Sequence, residues 1–138
     1  MNSRPLNILL VEDDDVDVMN VQRAFAKSHI LNPLFVASDG QEALEKLRSG
    51  EIPADRRLVL LDLNMPRRNG LEFLRELRES PDLFATTVVV LTTSNEERDK
   101  LEAYNLNVAG YLIKPVTFES FRELMVALNK YWSLVELP

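Results

Sequence analysis

An α/β fold built on a doubly wound parallel sheet is predicted by three features of the sequence. Five short apolar runs have no polar face, the segments between them carry apolar residues at helical spacing, and the two kinds alternate throughout. The first run, "LNILLV" (6–11), passes into the acids "EDDD", and "VDVMNVQRAFAKS" then gathers Val18, Val21, Ala24 and Phe25 on one helical face. "LFVA" (34–37) follows, and after it "GQEALEKLRSG" brings Ala43, Leu44 and Leu47 together before Gly50 stops it. "LVLL" (58–61) ends on Asp62 and leads, after a break at Pro66 and Gly70, to the helical "LEFLRELRES". "VVVL" (88–91) ends on Thr92 and Thr93 and precedes the more polar "EERDKLEAYN". "GYLI" (110–113) ends on Lys114 and Pro115, and "FESFRELMVALNKYW" forms the longest helix. Strands apolar on both sides need cover on both sides, and parallel neighbours joined by right-handed helical crossovers supply it.

The 138 residues fit one domain, with 46% hydrophobic and 28% charged residues, the balance of a folded chain. Acids outnumber bases 22 to 16, giving a net charge of −6, so the electrostatic footprint of a nucleic-acid binder is missing. The absence of cysteine excludes disulfides and thiolate metal sites. No apolar run approaches the roughly 20 residues that span a bilayer. "MNSRPLNILLVEDD" lacks the charged and apolar regions of a signal peptide, so a cytoplasmic location is expected. No repeat, linker or low-complexity segment is present, and the composition shifts only at the tail "SLVELP".

Doubly wound sheets place their chemistry in the crevice at the carboxyl ends of the strands. Glu12, Asp13 and Asp62 would meet there with Thr92 and Lys114. Two like charges about 4 Å apart repel by roughly 4 kcal/mol at an effective dielectric of 20, so three carboxylates call for a cation. Oxygen ligands favour a hard ion such as Mg²⁺, which takes one or two protein carboxylates and leaves another free to react. Asp14, Asp15 and Asp17 have a simpler reading, as acids favoured at the positive end of the first helix. His29, the single histidine, falls where that helix ends and reads as a surface residue, and "RR" at 67–68 reads as a solvated loop.

The motifs "LLVEDD", "LLDLNMPRRNG", "VVVLTTS" and "GYLIKP", in that order, resemble the receiver domain of two-component response regulators over residues 6 to about 130. The resemblance implies a five-stranded flavodoxin-like receiver fold of strand order 2-1-3-4-5, with residues 1–130 as the receiver and 131–138 as an apolar tail. It implies that Asp62 accepts a phosphoryl group from a sensor histidine kinase. Mg²⁺ would be held by Glu12, Asp13, Asp62 and the backbone carbonyl of Asn64. Thr92 would be the switch hydroxyl, Lys114 the cation paired with the phosphoryl group, and Tyr111 the aromatic that changes rotamer. The residues two beyond the aspartate and the threonine, which influence phosphoryl decay in the family, are Asn64 and Ser94, and the Lys114–Pro115 bond would be cis.

Rival readings fail on specific residues. A haloacid dehalogenase phosphatase needs a second acid two residues after its aspartate, where this chain has Asn64. A flavodoxin needs a hydroxyl-rich phosphate loop where "EDDD" stands, and a P-loop nucleotidase needs a glycine-rich "GK" loop. A receiver-fold binding module independent of phosphorylation would be expected to lack Asp62, an acid of the pair or Lys114. The ending "YW…LP", with "VEDD", "DLNMPR" and "LTTSN", resembles the stand-alone regulators paired with cyanobacterial and bacterial phytochrome kinases. Such a protein signals by contacts rather than by turning over a substrate. Phe118, Phe121, Met125, Leu128 and Trp132 share a helical face that would cover the sheet. Leu124, Tyr131, Leu134, Val135 and Leu137 are left over, and a homodimer through them is expected.

Overall fold

A computed structural model of the chain describes residues 6–27, 29, 31–65 and 70–114, with 119, 123, 126, 127 and 130 beyond them. The described elements run β1 (Asn7–Val11), α1 (Asp15–Lys27), β2 (Leu34–Ala37), α2 (Gly40–Arg48), β3 (Arg57–Leu61), α3 (Gly70–Glu79), β4 (Thr87–Thr92), α4 (Glu97–Asn105) and β5 (Gly110–Ile113). All five strands are parallel, in the order β2-β1-β3-β4-β5. The predicted strands are found within a residue of their expected bounds. Arg57 joins β3 because its guanidinium donates to the carbonyls of Leu47, Ile52 and Pro53 and so fixes the start of the strand.

Alternate residues of each central strand feed two cores, as period-two geometry requires. Leu9, Val11, Val59, Leu61, Val88 and Val90 point to one side and meet Ala43, Leu44 and Leu47 of α2 and Phe73, Leu74 and Leu77 of α3. Ile8, Leu10, Leu58, Leu60, Val89 and Leu91 point to the other and meet Val21, Ala24 and Phe25 of α1. Each buried leucine or valine contributes about 1.5–3 kcal/mol relative to exposure, so this two-sided burial is the main term holding the sheet flush with its helices.

Local chemistry sets the helix ends. Asp14 caps α1, its Oδ1 accepting from the amides of Val16 and Asp17. Asp39 caps α2 through the amide of Glu42, and Gly50 follows that helix at φ +88°, a conformation open to glycine. At positions 119, 123, 126, 127 and 130 the chain is helical and exposed. The anticipated sheet-facing residues of that last helix, the expected interface residues Leu124, Tyr131, Leu134, Val135 and Leu137, Arg67, Arg68 and the Lys114–Pro115 bond lie outside the described residues. Among the described residues no helix is long and apolar enough to cross a membrane.

Candidate functional site at the carboxyl edge of the sheet

The ladder itself delivers the expected side chains to one place. Val11 pairs with Leu61 and Thr92 with Ile113, so Glu12, Asp62 and Lys114 leave the sheet at the same edge. The amide of Asp62 donates to the Val11 carbonyl at 3.1 Å, that of Glu12 to Ala37 at 2.9 Å and that of Lys114 to Thr92 at 2.6 Å, fixing all three exits. Gly70, the first residue of α3, packs so close behind Asp62 that an added Cβ would stand 2.6 Å from the Asp62 carbonyl oxygen. A side chain there has no room, so α3 starts directly against the backbone of Asp62 and Leu63.

Glu12, Asp62, Thr92 and Lys114 are all buried, whereas Asp13 is exposed. Glu12, Asp13 and Asp62 each offer a carboxylate oxygen, and these lie within 4.8 Å of one another. Such a cluster of hard oxygen donors fits a divalent cation. The Lys114 ammonium donates to Glu12 Oε1 at 2.8 Å and to Asp17 Oδ2 at 2.8 Å, and stands 3.5 Å from Asp62 Oδ2. Burial pushes the Glu12 carboxyl up to about 7, with the Asp62 charge adding to it against the lowering pull of Lys114. Burial works to lower the Lys114 ammonium, but the hydrogen bonds to Asp17 and Glu12 outweigh it and raise it above the ordinary lysine value. Lys114 therefore keeps its charge, and a proton taken up by the pair goes to Glu12.

Around Asp62, one oxygen accepts from the Asn64 amide at 3.0 Å and the other faces Lys114. The Asn64 side chain crosses to β4, donating to Thr93 Oγ1 at 2.9 Å and, more loosely, to Thr92 Oγ1 at 3.4 Å. Thr92 Oγ1 also accepts from the Ser94 amide at 3.3 Å. Tyr111 donates its hydroxyl to the Ser94 carbonyl at 2.9 Å, and Ser94 Oγ donates to Asp99 at 2.5 Å. Thr92, Ser94, Asp99 of α4 and Tyr111 of β5 thus form one chain of contacts leading away from Asp62. His29 is exposed, as its position in the sequence suggested. Three participants had no role in the sequence reading: Thr93, which stood beside Thr92 in its motif without one, Asp99 of the polar α4, and Asp17, whose place in the first turn of a helix already accounted for an acid.

The family described as response regulator receiver domain matches residues 8–126. The chain is 39% identical to the probable methanogenesis regulatory protein FilR2 of Methanothrix harundinacea (strain 6Ac), over 93% of this chain and 84% of that protein. It is 38% identical to response regulator Rcp1 of Synechocystis sp. (strain ATCC 27184 / PCC 6803 / Kazusa), over 97% and 94% of the two chains. The crystal structure of the Mn²⁺-bound form of Rcp1 superposes with a TM-score of 0.80, covering 97% of this chain and 99% of that one. The phosphorylated cyanobacterial phytochrome response regulator RcpA gives 0.83 at 35% identity, covering 98% and 99%.

Proposed function

The chain belongs to the response regulator receiver domain family, a phospho-accepting signalling domain, and we propose that Asp62 is its acceptor and a sensor histidine kinase its donor. The observation that carries this reading is the convergence of three carboxylates within 4.8 Å on the same edge as a buried lysine. In the transfer, a carboxylate oxygen of Asp62 forms a bond to phosphorus while the phosphorus–nitrogen bond to the donor imidazole breaks, and the imidazole leaves with the electron pair. Developing negative charge falls on the phosphoryl oxygens, where the Lys114 ammonium is placed to meet it. Glu12, Asp13, Asp62 and the Asn64 carbonyl would hold Mg²⁺, which when bound neutralises charge on the same oxygens. Family membership implies a divalent ion, and Mn²⁺ occupies the Rcp1 crystal; the choice of Mg²⁺ rests on the hard, all-oxygen donor set.

Thr92 and Tyr111 are the outgoing half of the site. Thr92 turns its hydroxyl to the phosphoryl group, and Tyr111, already bonded to the carbonyl of Ser94, passes the change to the β4–α4 loop. The product is a mixed anhydride that decays, so the domain works on itself and has no turnover substrate. The likeness to Rcp1 and RcpA supports a bacteriophytochrome as the kinase, and we infer signalling through protein contacts in a homodimer. Incubation with acetyl phosphate and Mg²⁺ tests the acceptor. Intact-mass spectrometry should show one phosphoryl group on the wild type and none on Asp62→Asn; labelling of the folded variant to the wild-type extent would refute the assignment.

A further inference from the structure

Lys114 is gripped by a carboxylate outside the receiver motif. Asp17, in the first turn of α1, accepts from Nζ at 2.8 Å, as short a bond as that of Glu12, while Asp62 stands off at 3.5 Å. An ammonium has three protons. Two are engaged on the α1 side, and the third faces Asp62. Lys114 sits at the end of β5 and Asp17 is 97 residues earlier in the chain, so the bond ties two elements across the edge of the sheet. The helix dipole explains why an acid is tolerated in this turn, but not why this one reaches the lysine. Asp15 shares the turn and the dipole and is exposed. Glu12 is also one of the three carboxylates suited to the cation, whereas Asp17, among the described residues, is not part of that cluster.

We propose that Asp17 is a positioning residue for phosphoryl transfer: it tethers the Lys114 ammonium to α1 so that its remaining proton is already aimed at the acceptor. The proposal rests on Asp62 as the acceptor and Lys114 as its cationic partner. A lysine stem has four rotatable bonds and strongly favours hydration, so once Glu12 is drawn to the cation, an ammonium without Asp17 would spread over several rotamers. No proton is transferred by Asp17, and Lys114 keeps all three of its own. With acetyl phosphate as donor, the Asp62 oxygen bonds to phosphorus, the phosphorus–oxygen bond to acetate breaks, and acetate departs with the electron pair.

A tether and a mere negative charge predict opposite results. Asp17→Asn removes the charge but keeps a carbonyl oxygen that accepts from Nζ; Asp17→Ala removes both. Under the tether, Asp17→Ala labels about tenfold more slowly than wild type at saturating acetyl phosphate and Mg²⁺, and Asp17→Asn recovers most of the rate. Equal rates in wild type and Asp17→Ala, or faster labelling in both variants because repulsion of the anionic donor has been relieved, would overturn the proposal. A second readout needs no donor and is taken with Mg²⁺ present, when Glu12 is engaged by the ion. A hydrogen-bonded ammonium exchanges its protons slowly, so a ¹⁵N spectrum should show a Lys114 Nζ signal, identified by its loss in Lys114→Arg. That signal should persist in Asp17→Asn and vanish in Asp17→Ala with the amide spectrum intact; persistence in Asp17→Ala would defeat the tether. A wild type that takes no label would count against the acceptor assignment instead, and the Lys114 signal would still decide the role of Asp17.

Discussion

Glu12 carries two burdens at once, as a buried acid raised to about 7 and as one of three carboxylates suited to a cation. Below pH 7 it is mainly protonated and must give up a proton to bind a metal; above pH 7 it is already ionised. Cation affinity should therefore rise with pH up to about 7 and level off. For one displaced proton, calorimetric titration with Mg²⁺ should show binding about tenfold tighter at pH 8 than at pH 6. Affinity that is flat across this interval would show that Glu12 is ionised throughout. Glu12 and Asp13 were legible in the sequence because acids directly after a strand apolar on both faces have no packing reason to be there. Asp17 was not, because an acid in a first helical turn is fully accounted for by the helix itself, and only the tertiary approach of β5 gives it a second partner. The Asn64 bond to Thr93 was equally invisible, since it joins two loops whose spacing only the sheet determines.

Helices and strands were nearly all readable from periodicity, and Val21, Ala24 and Phe25 of α1 and Ala43, Leu44 and Leu47 of α2 are buried as their spacing required. What periodicity could not reveal is how loops are pinned to those elements. Arg78, near the end of α3, donates to the carbonyls of Phe84, Thr86, Leu106 and Asn107 at 2.7 to 3.1 Å, holding the α3–β4 turn and the α4–β5 turn together. In sequence it is one more charged residue on the polar side of an amphipathic helix. Its partners lie 6 to 29 residues away, so no local pattern marks it. Bonds from a charged donor contribute about 1.5–3 kcal/mol each when buried, and water replaces part of that at the exposed carbonyls, so Arg78→Ala should lose about 2–4 kcal/mol in urea unfolding. Arg78→Lys should recover little, because a compact ammonium cannot reach four carbonyls as the planar guanidinium does. A loss under half a kilocalorie in Arg78→Ala would mean that the turns hold without the clamp.

At the scale of the molecule, the strand order β2-β1-β3-β4-β5 reverses direction between β1 and β3, and Glu12, Asp13 and Asp62 emerge from those two strands. The chemistry thus sits at the reversal point, and α4 and β5 carry Asp99 and Tyr111, the far end of the contact chain from Thr92. These same elements expose apolar side chains: Leu101 and Tyr104, three residues apart on α4, and Ile113 on β5, while Val126 is exposed on the last helix. Single exposed apolar residues are ordinary, but four on consecutive elements, in a chain that also carries the apolar "SLVELP", favour a covered surface. A twofold symmetric dimer is the simplest cover, since one patch then meets its own copy. Light scattering of the unphosphorylated protein at micromolar concentration should give twice the 15.8 kDa chain mass. Deleting residues 133–138 should shift it toward the monomer, because the deletion removes the apolar Leu134, Val135 and Leu137. A monomer mass that the deletion leaves unchanged would assign the tail to its own chain and leave Leu101 and Tyr104 facing water.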